Sequence, residues 1–153
     1  MTVTTSSIEI AADPATVFRY ASATERWPEF LPHYRWVRVL EDDGSKRVVE
    51  MAARRNWIPI RWTAEQTNDA ARPHIAFRHL RGWTKGMEVQ WLFEPRAGGT
   101  RVTIEHRLRF RFPFASEWLG RHLVSDFFIH YVAGRTLAHM KRLAEAAACT
   151  ASS

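Results

Sequence analysis

Phe114 to Ala148 reads FASEWLGRHLVSDFFIHYVAGRTLAHMKRLAEAAA. Trp118, Leu119, Leu123, Phe127, Phe128, Tyr131, Leu137, Met140 and Leu143 recur at steps of three and four, the helical period. Glu117, Arg121, Arg135, Lys141, Arg142 and Glu145 fall on the other side. Pro113 is a start signal, since proline is tolerated in a first helical turn. The stretch predicts one long amphipathic helix. Gly120 and Gly134 each weaken it by roughly 1 kcal/mol against alanine, so each marks a bend or a close approach. Such a helix needs an apolar surface to cover, and the preceding chain supplies strands.

The strongest strand pattern lies just before it. Val102, Ile104, His106, Leu108 and Phe110 alternate with Arg101, Thr103, Glu105, Arg107 and Arg109. One face is buried and the other solvated, as in an antiparallel sheet covered on one side. Working back, Met87, Val89, Trp91 and Phe93 alternate in the same way. His74–Arg81 carries Ile75, Phe77 and His79 on its apolar face, and Ile60–Thr67 carries Ile60, Trp62, Ala64 and Gln66. Arg47–Asn56 presents Val49, Met51 and Ala53. Tyr34–Leu40 and Thr5–Ala11 complete seven strands. Asp42-Asp43-Gly44 and Gly98-Gly99 are hairpin turns. Between the first two strands, Asp13-Pro14 opens one short helix and Trp27–Pro32 a second. The order predicts an α+β fold: a curved antiparallel seven-stranded sheet, two short helices, and a long C-terminal helix enclosing a cavity.

The chain has 153 residues, the size of a single domain. We expect that domain to span residues 5–147, with disordered tails at 1–4 and 148–153. No apolar run approaches the roughly 20 residues of a membrane helix, and Met1–Ser7 lacks the features of a signal peptide. Cys149 is the single cysteine, which excludes an intramolecular disulfide and suggests a cytoplasmic location. The formal charge is +6, yet its arginines are dispersed and no nucleic-acid motif is present. A basic surface can also meet an anionic membrane or an acidic protein partner. Seven tryptophans are the more unusual feature, and several fall at inward strand positions, where they could wall a pocket or simply pack a core.

Ala12-Asp13-Pro14-Ala15-Thr16-Val17-Phe18, Glu25-Arg26-Trp27-Pro28-Glu29-Phe30 with Tyr34 and Val39-Leu40, Gly98-Gly99-Thr100, and Arg135-Thr136-Leu137 with Met140-Lys141 carry a resemblance. Across nearly its whole length the chain resembles the helix-grip superfamily of START and Bet v 1-like proteins, and within it the polyketide cyclase/dehydrase branch that includes aromatase/cyclases. The resemblance implies a helix-grip fold and a cavity for a poly-β-ketone tethered to an acyl carrier protein. Aldol ring closure and dehydration would follow without a cofactor. It implies Trp27, Tyr34 and Trp62 as pocket residues. Gln66 stands where that pattern has an arginine, four residues after Trp62. Gln66 can hydrogen-bond a ketone but supplies no cation.

His79 and His106 are the most informative polar residues, because both sit on strand faces that are otherwise apolar. A buried imidazole must be hydrogen-bonded and can move protons near neutral pH. With Gln66 they are the candidate catalytic groups. A one-residue slip would turn Arg78 inward in place of His79. Trp27, Tyr34, Met51, Trp62, Trp91, Ile104, Phe127 and Tyr131 are the candidate ligand-binding residues. His122, Asp126 and His130 share a helical stripe that reads as solvated rather than as a metal site. Arg54 and Arg55 end a strand, either at a solvated edge or at the cavity mouth. Glu50, Glu65 and Glu105 fall on outer faces. The expected partners are a hydrophobic or aromatic small molecule and an acidic acyl carrier protein, with no nucleic acid. The chain is expected to be a monomer or homodimer. The alternative to a cyclase is a non-catalytic carrier for a lipid, quinone or other apolar molecule.

Overall fold

The alternation at 101–110 becomes β7 (Gly99–Leu108), in which Thr100, Val102, Ile104, His106 and Leu108 are buried in turn. The computed structural model describes residues 2–82, 84–108 and 130–152. β7 lies between β1 (Thr2–Ile10) and β6 (Glu88–Arg96). Beyond β6 follow β5 (His74–Arg81), β4 (Ile58–Asp69), β3 (Lys46–Arg55) and β2 (Tyr34–Asp42), giving one seven-stranded antiparallel sheet in the order β1-β7-β6-β5-β4-β3-β2. From β2 onward each strand pairs with the next in sequence. Only the step from β1 to β2 crosses from one edge to the other. That traverse carries α1 (Pro14–Ser22), a 3-10 turn (Thr24–Arg26) and α2 (Trp27–Phe30). The C-terminal helix α3 (Gly134–Ser152) follows a π-helical turn over residues 130–133. This is the helix-grip arrangement.

The apolar faces account for the packing. Val49 and Met51 of β3, Trp62 and Ala64 of β4, Ile75 and Phe77 of β5, Trp91 of β6 and Ile104 of β7 join one core. Leu137, Met140 and Ala144 of α3, spaced by three and four, close it from above. α3 also packs on α1 and β1. Lys141 Nζ donates to the Glu9 carbonyl at 2.8 Å and to Glu145 at 2.7 Å. Glu145 in turn accepts the Ala11 amide at 3.0 Å. Gly99 permits the tight passage of β7 under this junction, because a Cβ there would run into the Ile10 carbonyl.

Several boundaries differ from the sequence reading. β1 starts at Thr2 rather than Thr5, because every residue from Thr2 onward pairs with β7. α3 runs to Ser152 instead of giving way to a tail at 148, since the alanine-rich run from Ala144 to Ala148 favours helix. Asp13 does cap α1, but its carboxylate takes the Thr16 hydroxyl rather than a backbone amide. Thr63, expected outside, is buried where β4 and β5 shift register between Thr63 and Ala64. Gly134 meets no neighbour that a Cβ would strike, so it marks the change from π to α winding and not a close approach. Residues 114–129 of the expected helix, Gly120, His122, Asp126 and Phe127 among them, lie outside the described residues.

Candidate functional site

The inner face of the sheet, the Trp27 turn and the start of α3 enclose a cavity of about 50 Å³. One water needs roughly 10–15 Å³ on this measure, so the space holds a few waters or a small group. Trp27, Tyr34, Trp62, Phe77 and Trp91 form its aromatic wall. Their rings meet edge-on or tilted: Trp27–Tyr34 centroids lie 5.1 Å apart, Trp27–Trp91 5.9 Å and Tyr34–Trp62 6.0 Å. Met51 and Met87 complete the floor with flexible thioethers that can re-pack around a guest. Val132, Ala133 and Thr136 close it from the π-helical turn and α3. Lysine, arginine and carboxylate side chains are absent from this wall among the described residues.

Both strand histidines point into this cavity. His79 is 5% exposed and His106 4%. The register pairs Ala64 with His79 and Val89 with His106, so the two sit on the same face with β6 between them. Arg78 faces outward to Glu65 at 3.7 Å, which settles the alternative in favour of His79. The His79 ring stacks on Trp62 at 5.9 Å with an interplanar angle of 2°. Its Nδ1 meets the buried Thr84 hydroxyl at 2.6 Å. Thr84 is brought there by a tight loop: the His79 amide donates to the Met87 carbonyl and the Gly86 amide to the His79 carbonyl, both at 2.9 Å. Gly82, with φ +100°, lets that loop pass within reach of the Arg61 carbonyl. His106 is different, because its buried Nδ1 has no hydrogen-bond partner among the described residues.

Burial controls the charge of both rings. Desolvation lowers His106 to about 4. Desolvation, then the neighbouring His106, lowers His79 to about 3. Both are therefore neutral imidazoles at pH 7, each with one N–H donor and one basic nitrogen. The Trp27 indole N–H is likewise buried without a partner among the described residues. A buried polar group left unpaired costs about 1–3 kcal/mol, so a polar group brought into the cavity would be favoured at these atoms.

The remaining candidates separate. Trp27, Tyr34, Met51, Trp62, Trp91 and Ile104 line the cavity as expected. Gln66 does not, although it is 1% exposed. Its carbonyl accepts the Thr24 hydroxyl at 2.8 Å, and its amide donates to the Ser22 carbonyl at 3.0 Å and to Asn68 at 2.9 Å. It faces inward, but beneath the link between the helices, where it holds that link to β4. The structure places this candidate catalytic group outside the cavity wall. Tyr131 stands beside the cavity and not in its wall, with the guanidiniums of Arg55 and Arg135 over its ring. Phe127 lies outside the described residues. Glu50, Glu65 and Glu105 take outward basic partners, Arg38, Lys46 and Arg107. Among the described residues, no group of three or more His, Cys, Asp or Glu is placed to hold a metal, and His130 is exposed.

Sequence reasoning missed His33, Thr84 and Thr136. His33, 3% exposed, bonds through Nε2 to the Thr136 hydroxyl at 2.9 Å. That hydroxyl donates its one proton to the Val132 carbonyl at 2.7 Å, so His33 must be the donor and carry its proton on Nε2. Burial raises the Tyr34 phenol pKa well above the usual range, and the nearby Thr136 hydroxyl acts in the opposite direction. His33 sits in a turn with no periodicity to reveal it. Arg135-Thr136-Leu137 was visible only as part of a motif.

Residues 10–126 match the family described as polyketide cyclase/dehydrase and lipid transport. The chain belongs to that family. No curated protein matches the sequence. Among solved structures it is similar to the Zhui aromatase/cyclase from Streptomyces sp. R1128, at TM-score 0.83 and 17% identity over 94% of this chain and 93% of that one. A protein from Thermus thermophilus matches at TM-score 0.81 and 23% identity, over 95% and 99%. The STAR-related lipid transfer protein from Xanthomonas axonopodis matches at TM-score 0.62 and 15% identity, over 92% and 84%. At these identities the likeness shows a shared fold. Among the described residues, no helix is long and apolar enough to cross a membrane.

Proposed function

We propose that this protein binds an oxygenated polyketone or aromatic intermediate in its cavity and promotes aldol ring closure and dehydration. The observation that carries the reading is the pair of buried, neutral imidazoles, His79 and His106, in one aromatic-walled space. A methylene flanked by carbonyls gives its proton to the basic nitrogen of one imidazole. The resulting enolate carbon attacks a ketone carbon further along the chain and forms the C–C bond. The ketone oxygen takes a proton back from the imidazolium and becomes a hydroxyl. Loss of a second proton from carbon and of that hydroxyl releases water and leaves the double bond. A neutral imidazole N–H can also polarise the ketone as a hydrogen-bond donor. Tethered substrate on an acidic acyl carrier protein would be attracted by the basic surface, an effect that salt weakens.

At about 50 Å³ the cavity is too small for a long polyketide, so the methionines and the rings must give way, or only the cyclising portion enters. The test is product analysis with a carrier-tethered polyketide. His106→Ala and His79→Ala should each lower the cyclised product by about 10²-fold or more. An unchanged product distribution rejects the reading.

One observation favours a non-catalytic carrier. The wall holds no charged group among the described residues, and Gln66, which replaces the pattern's arginine, is committed elsewhere. Mass spectrometry of co-purified ligand discriminates: a bound lipid or quinone, with His106→Ala retaining it, supports the carrier.

A further inference from the structure

We propose that the rim of the cavity carries an anion-binding site, built from Arg55, Arg135 and His33, for the carboxylate or phosphate of an amphipathic ligand whose apolar body enters the cavity. The inference rests on the cavity being a ligand cavity, as proposed above, and adds a charged group to the ligand's description.

Three elements converge there. Arg55 ends β3 and lies 5.3 Å from the centroid of the Tyr131 ring. Arg135 opens α3 and lies 4.6 Å from the same centroid. Two like charges share one aromatic platform, and neither meets a carboxylate among the described residues. Other surface arginines also lack acidic partners. What distinguishes this pair is the buried polar group beside it. The His33 ring lies 6.4 Å from Tyr131 and 6.1 Å from His139. Its Nε2 proton is directed at Thr136 and its Nδ1 has no partner among the described residues. Burial, then the neighbouring His139 and Arg135, disfavours its protonation.

The site communicates with the cavity through shared residues. Thr136, which His33 bonds, lines the cavity, and so do Val132 and Ala133, next to Tyr131 in sequence. Tyr34, another wall residue, lies 4.9 Å from His33 ring to ring. The site therefore adjoins the cavity wall, and its two guanidiniums are suited to two-oxygen anions. The unpaired Nδ1 can accept the proton of a carboxylic acid or hydrogen phosphate. Alternatively it takes up a proton from solvent and donates to the ionised group, whose negative charge offsets the neighbouring arginines.

Isothermal titration with three probes of one apolar body tests this: naphthalene-2-carboxylate, 2-naphthyl phosphate and the neutral naphthalene-2-carboxamide. At least one anion should bind about tenfold more tightly than the amide, and raised salt should shrink the difference. The stronger anion identifies the headgroup as carboxylate or phosphate. Arg55 and Arg135 are both exposed, so Arg55→Gln/Arg135→Gln should fold, bind the amide as before and lose the anion preference. An amide that binds as well as both anions, or a preference that survives in the double variant, overturns the inference while leaving the cavity reading intact. Failure of all three probes to bind overturns both.

Discussion

Gln66 and His106 are both buried polar residues on the inner face of one sheet, at 1% and 4% exposure. They do opposite work. Gln66 spends its carbonyl on Thr24 and its amide on Ser22 and Asn68. His106 leaves Nδ1 without a partner among the described residues, against a cavity. Burial alone does not separate scaffold from site. Satisfaction does, because a group with all its bonds made inside the protein has nothing to offer a ligand, while an unpaired one is stabilised by binding.

The largest expected effect concerns charge. His33, His79 and His106 have folded values of about 4, 3 and 4, below the ordinary 6.5. The unfolded chain therefore binds more protons between those limits, and stability falls as pH drops. The stabilisation is fully present above about pH 6.5 and is lost as pH falls towards 4. Each fully buried histidine contributes up to about 1.4 kcal/mol per pH unit in that window, so His79 and His106 alone amount to several kcal/mol. Urea midpoints measured at pH 7, 6 and 5 should decline steeply. A flat midpoint would mean that the imidazoles are hydrated and would erase the contrast with Gln66.

Next comes Gln66→Leu. It leaves the Thr24 hydroxyl and the Ser22 carbonyl without partners, and we expect a loss of about 3 kcal/mol in urea unfolding. The cavity wall is untouched, so the affinity for a neutral aromatic probe should stay within about twofold once the protein is folded. A stable variant with altered ligand binding would return Gln66 to the site.

Much of the fold was legible because alternation has a sharp period. Val102 to Leu108 and Met87 to Phe93 could be assigned to faces residue by residue, and the histidines came with them. What alternation does not reveal is position along a strand. Gln66 shares a face with Trp62 but lies four residues further along β4, beneath Ser22 and Thr24, outside the cavity. Tryptophan count was a blunt signal for the same reason. Trp27, Trp62 and Trp91 line the cavity, whereas Trp57 at the β3–β4 hairpin is 85% exposed. His33 and Thr84 were invisible because turns have no period. Their roles arise from contacts with Thr136, 103 residues away, and with His79 across a glycine-bounded loop.

Thr84→Val sharpens the contrast by taking one bond away from a cavity histidine. The hydroxyl that meets His79 Nδ1 is replaced by a methyl of similar size, at a cost of about 1–2 kcal/mol. The His79 ring loses that anchor but keeps its stack on Trp62. If the proposed chemistry holds, cyclised product should fall by about tenfold with little change in substrate affinity, a pattern that single-turnover assays can read. Unchanged turnover would place Thr84 among the scaffold groups with Gln66.

The smallest effect is the most diagnostic, because its sign is unusual. His106→Phe removes a buried polar ring whose Nδ1 has no partner among the described residues, and fills the same space with an apolar one. Most core substitutions destabilise, and the corresponding change at Gln66 should do so strongly. At His106 the unpaired nitrogen carries a desolvation cost that phenylalanine does not, so stability at pH 7 should hold or rise by about 1 kcal/mol. The decline of the urea midpoint with pH should flatten at the same time, since one of the titrating groups is gone. Cyclisation should be lost. Gain in stability with loss of activity is the signature of a group kept for chemistry against the interest of the fold. A loss of stability comparable to that of Gln66→Leu would show that His106 makes bonds of its own within the fold.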